Sequence, residues 1–232
     1  MNTRLLCLLI FGSCCGWGQS PIVKGVFTDA VTGITTRYPV EMVVLDPEKA
    51  IHDGHIAAFG SMKTEAKEHT LMERCFKPLL IAVLPENFGG SELALNAPRP
   101  NGTLAIFEFQ LSKECTKGFK FQEPDAIAGG VAQAPIQIPG ATPLMKPLWI
   151  EWGVEKEHVS AATFGSDPSN GGIVAAAAVY FKGHITAWLI GSNYASIFDG
   201  LGESTVTLGN EKIYRLFPPL GPNGITDTNI KP

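Results

Sequence analysis

Residues 173–181 read IVAAAAVYF and residues 184–192 read HITAWLIGS, with Lys182-Gly183 between them. Two extended runs around a two-residue turn predict an antiparallel hairpin. In the first run Ile173, Ala175, Ala177, Val179 and Phe181 share one face, and Val174, Ala176, Ala178 and Tyr180 share the other. Neither face carries a charge, so this strand is expected to be central and covered on both sides. The four alanines predict a helix crossing at close range. The pattern assigns that helix to the next segment, where Tyr194, Ile197, Phe198 and Leu201 recur at i, i+3, i+4 and i+7, with Asn193 as cap and Gly202 as stop. An earlier strand, 158–164, joins through the loop 166–171.

The N-terminal half is patterned less strongly. Residues 25–39, GVFTDAVTGITTRYP, form two short extended runs around Thr32-Gly33 and predict a hairpin ending at Pro39. A short strand follows at 40–45, and Asp46-Pro47 suits the start of a helical turn. Ser61 caps a predicted helix over 62–72, in which Met62, Ala66, His69 and Met72 recur at helical spacing. The run 79–84, LLIAVL, lies between Pro78 and Pro85 and is too short for a core helix, so it reads as a buried strand. Residues 85–102 read as a loop. In the next strand Leu104, Ile106, Glu108 and Gln110 alternate with Ala105, Phe107, Phe109 and Leu111, and the second set is expected to face the core. Residues 122–147, with their glycines and prolines, read as a long loop, a length unusual in a compact domain unless it covers something or carries function.

Antiparallel strands with segregated helices indicate an α+β fold, an antiparallel sheet flanked by helices and joined by long Pro/Gly-rich loops. The expected organisation is a leader over 1–18, one domain over 19–217 and a disordered tail over 218–232. The tail, from Phe217 onward, holds too few apolar residues to pack.

The leader carries most of the cysteine. Arg4 is a short positive region, residues 5–11 are apolar, and small residues follow, which is the layout of a secretory signal. Gly16 and Gly18 predict cleavage before Gln19, and the apolar run is far shorter than the roughly 20 residues of a membrane span. That cut removes Cys7, Cys14 and Cys15. A second reading takes 11–14 as a lipoprotein box, with Cys14 acylated and Cys15 left unpaired. The formal charge of −4 becomes −5 without Arg4, at 17 basic against 22 acidic residues. An acidic chain without a basic block argues against nucleic acid or anionic lipid as partner. The cut leaves Cys75 and Cys115 as the two cysteines of the mature chain, placed where disulfides persist. Cys75 precedes the strand 79–84 and Cys115 follows the strand 104–111. If these are antiparallel neighbours, both cysteines reach the same edge, and a Cys75–Cys115 disulfide is expected.

Motifs for catalysis are sparse. There is no Gly-x-Ser-x-Gly elbow, His-Glu-x-x-His, phosphate loop or Cys-x-x-Cys. Residues 167–172 alternate acidic and amide oxygens but lack the closing Glu of a calcium loop. His52-Asp53-Gly54-His55 sets two imidazoles three apart, suited to zinc, copper or nickel, with His69, His158, His184 or a carboxylate as the third ligand it would need. The plainer reading is a polar loop turning at Asp-Gly, and no metal or other cofactor is expected. Trp149 and Trp152, just beyond the 122–147 stretch, either floor a ligand pocket, with His52 and His55 as its polar groups, or pack beneath the loop.

The opening hairpin, with Gly33-Ile34 leading to Tyr38-Pro39, is similar to the entry of the PsbP-like α/β/α sandwich, shared by photosystem extrinsic proteins, the nuclear-transport factor Mog and many bacterial secreted proteins. The close, IVAAAAVYFKGHITAWLIGS followed by a helix, resembles it too, and the resemblance covers residues 24–217. The chain departs from that pattern in two places. Residues 122–147 are rich in Pro and Gly where a helix usually stands, and the hydrophobic close is reduced to Val206-Thr207-Leu208. The resemblance implies a non-enzymatic module that binds a protein or small ligand or stabilises an assembly in the bacterial periplasm or outside the cell. The competing class is a secreted hydrolase or metal-binding protein.

Overall fold

The computed structural model describes residues 24–47, 50, 74–85, 102–137, 142–143, 148–152, 157–167, 172–192, 201, 204–208 and 213–217. Its strands, numbered in chain order, form two antiparallel sheets instead of the one expected. The smaller runs β1 (Val26–Thr28), β2 (Ile34–Arg37), β11 (Thr205–Leu208), β12 (Ile213–Arg215). The larger runs β3 (Val43–Leu45), β4 (Phe76–Val83), β5 (Gly102–Phe109), β10 (His184–Ser192), β9 (Gly172–Phe181), β8 (Glu157–Asp167), β6 (Thr142–Pro143), and β7 (Leu148–Trp152) also pairs with β8. Two helices lie wholly within the described residues, α1 (Lys113–Thr116) and α2 (Pro124–Ala132), followed by the 3-10 turn Ala134–Gln137.

The β9–β10 hairpin forms in the register its sequence predicts, with Phe181 opposite His184. Lys182 and Gly183 both take positive φ, 49° and 85°. That is the primed turn whose twist matches the flanking strands. A lysine in this region is sterically disfavoured, and it is held there partly by its own side chain: Lys182 Nζ donates to the Thr32 carbonyl at 3.0 Å, fastening the hairpin of the large sheet to the β1–β2 loop of the small one.

The two faces of the large sheet have different covers. On one, Leu80, Ala82, Leu104, Ile106, Ala175, Ala177, Val179, Trp188 and Ile190 pack against Ile34 and Val206 of the small sheet and against Leu201 and Phe217. The indole of Trp188 donates to Thr36 Oγ1 at 2.9 Å, a buried bond that joins the sheets. On the other face, Phe109, Ala178, Ile185 and Ala187 pack against Ile127, Ala128, Val131 and Ala132 of α2, with a smaller cluster of Ala50, Ile81, Ala105 and Phe107 beside it. Strand β5 is therefore buried on both faces, where one apolar face was expected. Leu104 and Ile106 fill the inter-sheet layer, and only Glu108 among the residues 104–109 is not buried.

Helix α2 corrects the reading of 122–147 as a loop, and it packs on the alanine strand at Ala178. Pro124 begins it, a position where proline's missing N–H is no loss. Gly129 and Gly130 lie inside it, each costing about 1 kcal/mol relative to Ala in an exposed helix. Gly130 serves packing. A Cβ on Gly130 would lie 2.4 Å from Phe119 Cε1, and Phe119 itself packs edge-on to Phe109. Of the helix predicted at 194–201, Leu201 is helical and buried in the inter-sheet layer, and 193–200 lie outside the described residues.

At the N-terminal side, β1 and β2 form the predicted hairpin, Val26 opposite Arg37, and β3 occupies the end of the segment 40–45. Ala50 N–H reaches the Asp46 carbonyl at 2.9 Å, the helical turn expected after Pro47. Strand β4 starts two residues before Pro78, which was expected to bound it. The register shifts between Pro78 and Leu80, and such a bulge tolerates a missing N–H. Phe217, read as the start of the tail, is fully buried. The predicted helix over 62–72, the loop over 86–101, the leader and 218–232 lie outside the described residues.

Candidate functional site

Cys75 and Cys115 form the disulfide, with Cα atoms 5.5 Å apart. The geometry follows from antiparallel pairing: Phe76 opposes Phe109, so the start of β4 faces the end of β5, and Gln110 N–H continues the ladder to the Cys75 carbonyl at 2.8 Å. The chain then turns into α1, where Ser112 Oγ accepts from Cys115 N–H at 3.2 Å. An Arg74–Glu114 ion pair at 2.9 Å flanks the bridge. The Cys75 side is buried in the cluster beneath α2.

The described polar group with most chemical capacity stands at the margin of the inter-sheet face. Glu108 is directly opposite Lys77 on β4 and Thr186 on β10, so His184 is its diagonal neighbour, within reach of a long side chain. His184 Nδ1 lies 2.8 Å from Glu108 Oε1, and Lys77 Nζ lies 3.8 Å from Oε2. Toward an ionised carboxylate, which only accepts, the imidazole donates from Nδ1, and a neutral ring in that tautomer keeps a lone pair on Nε2. A histidine oriented this way is able to take up a proton or a metal ligand role. No group of three or more His, Cys, Asp and Glu placed to hold a metal occurs among the described residues. The pairs are partly exposed, with Lys77 and His184 side chains 55% and 35% accessible, so they contribute little to stability. We expect nitrogen NMR of neutral His184 to show the proton on Nδ1, and Glu108→Ala to abolish that preference; an unchanged tautomer in the variant would show that Glu108 does not set it.

Of the residues singled out by sequence, Trp149 and Trp152 lie in β7, opposite Ser160 and Glu157 of β8. His52 and His55 lie outside the described residues. Sequence reasoning named His184 only as one of several third ligands and did not single out Glu108 or Lys77. The signal was present in part: Glu108 is the one charge in β5, and Lys77 and His184 each lie in or at the end of an apolar strand. Their convergence depends on the β4–β5–β10 strand order, which spacing alone does not supply.

No family model, curated protein or solved structure matches this chain.

Proposed function

We propose that this chain is an exported α+β module, PsbP-like in fold, that binds a protein or small ligand or stabilises an envelope assembly. The observation that carries the proposal is the Cys75–Cys115 disulfide, because such bonds form and persist in oxidising compartments outside the cytosol. No helix among the described residues is long and apolar enough to cross a membrane. The PsbP-like reading draws support from α2, which stands in the stretch where that fold usually has a helix, and from the opening and closing hairpins. The small sheet beside the large one is a departure from a helix-flanked sandwich. A second reading, a secreted hydrolase or metal protein, rests on the His184–Glu108 pair.

Intact-mass and N-terminal analysis of the exported chain tests the proposal. The expected product begins at Gln19 and carries no free thiol. A lipid-modified chain beginning at Cys14 would move the protein to a membrane surface, and a product that retains residues 1–18 in the cytosol would overturn export.

A further inference from the structure

The register of the small sheet sorts its residues onto two faces. Phe27, Thr36 and Val206 stand opposite one another across β1, β2 and β11, and Thr36 and Val206 are fully buried toward the inter-sheet layer. By alternation the flanking rows face outward. One row holds Arg37, Thr205 and Arg215 on β2, β11 and β12; the next holds Thr28, Thr35 and Thr207 on β1, β2 and β11. An aliphatic residue, Val26 or Ile213, completes each row, and none of the eight positions is acidic. Thr28, Arg37 and Arg215 are exposed and Thr35, Thr205 and Thr207 half-buried, so solvent reaches this face. No described residue forms an ion pair with the Arg37 guanidinium. Arg215 is engaged within the chain, and the five donors of a guanidinium let it hold a second partner. Asp29, the residue after Thr28, has its carboxylate committed to the β1–β2 loop, where it accepts from Val31 N–H at 3.1 Å and Thr32 N–H at 3.3 Å.

The backbone groups of these strands are used in the ladder, so a ligand on this face meets side chains alone. Threonine hydroxyls donate and accept as sugar hydroxyls do, and guanidinium forks match carboxylates. Neighbouring strands lie about 4.8 Å apart, so Arg37 and Arg215, two strands from one another, are rooted roughly 10 Å apart. Two cations at that spacing are too sparse for duplex DNA, with its one charge per about 1.7 Å, and they suit a polymer with one carboxylate per sugar. An extended peptide would gain its main-chain bonds at a sheet edge and not on a face. We infer that the outer face of the small sheet binds an acidic polysaccharide, with uronate carboxylates on Arg37 and Arg215 and sugar hydroxyls on the threonines. The Trp188–Thr36 and Lys182–Thr32 bonds hold the sheet from behind, which makes the face a preorganised platform. The inference deepens, and rests on, the reading of the chain as an exported binding module.

Isothermal titration of the disulfide-bonded protein with polygalacturonate tests it. The fully methyl-esterified polymer, which keeps the hydroxyls and loses the charge, and duplex DNA are the comparisons. Polygalacturonate is expected to bind and to weaken with added salt, while the ester does not bind and DNA binds less tightly. Arg37→Gln should lower the association constant about tenfold, with part of the loss recovered in Arg37→Lys, which keeps the charge without the fork. Thr205→Val, which keeps the shape and removes the hydroxyl, should lower it about threefold. Urea midpoints of these surface variants should stay close to the parent's. No binding of polygalacturonate, equal binding of the ester, tighter binding of DNA or an unchanged affinity in Arg37→Gln would each overturn the inference. Binding is measured on isolated protein, so failed export would leave a positive result standing, and failure to bind would leave export standing.

Discussion

Replacing Cys75 and Cys115 together by alanine is expected to lower the stability of the protein by about 4 kcal/mol. The bridge closes a loop of 40 residues, and in the chain-entropy model the cross-link acts mainly by restricting the unfolded chain, at about that magnitude for such a length. Native contacts push the same way. Cys75 is buried with Phe109, Ile127 and Val131, so truncation to Ala also removes packing, while α1 loses its covalent tie to the start of β4. The loss is a large share of a typical total of about 5 to 15 kcal/mol. Urea unfolding of the oxidised parent and of the double variant measures it, and reductant should shift the parent's midpoint toward the variant's while leaving the variant unchanged. A difference below about 1 kcal/mol, or two titratable thiols in unfolded, unreduced parent, would show that the bridge is absent in solution.

The parts of this fold that were legible in the sequence are those fixed by local chemistry. The β9–β10 hairpin needs only two apolar runs and a Lys-Gly turn, and the β1–β2 hairpin only the turn after Thr32. The disulfide was also legible, because antiparallel neighbours put the start of one strand beside the end of the next. What escaped depends on contacts distant in sequence. Gly129-Gly130 reads as a helix breaker until Phe119 is seen in the space that a Cβ would fill. The alanines of β9 announce a close neighbour without saying which segment supplies it: α2 packs on Ala178 from about fifty residues upstream, and Leu201 shares the cluster of Ala175 and Ala177 on the other face. The second sheet was hidden for the same reason: Val206-Thr207-Leu208 is a weak strand by itself and gains its partner from β2 near the other end of the chain. Glu108 and His184 meet only because β5 and β10 are adjacent, and no spacing rule foretells that.

Trp188→Ala should be the most damaging single substitution among the described residues. Trp188 is fully buried between the sheets, the largest side chain of that layer. It stands opposite Ala177 on β9 and Ile106 on β5, and the small Ala177 beside it leaves room for the indole. Truncating a buried tryptophan costs about 3 to 5 kcal/mol through lost transfer energy and the cavity left behind. A further cost arises because the indole N–H holds Thr36 Oγ1 at 2.9 Å across the layer, and a buried hydroxyl stripped of its partner loses about 1 to 3 kcal/mol. The two contributions can be separated. Trp188→Phe keeps an aromatic ring but cannot donate, so it should cost less than Trp188→Ala while still orphaning Thr36. Adding Thr36→Val to Trp188→Phe removes the orphan, so the double variant should be more stable than the sum of the two single losses predicts. Urea unfolding of the four proteins completes the cycle. Strict additivity would mean that the inter-sheet bond contributes nothing and that Trp188 acts through its volume alone.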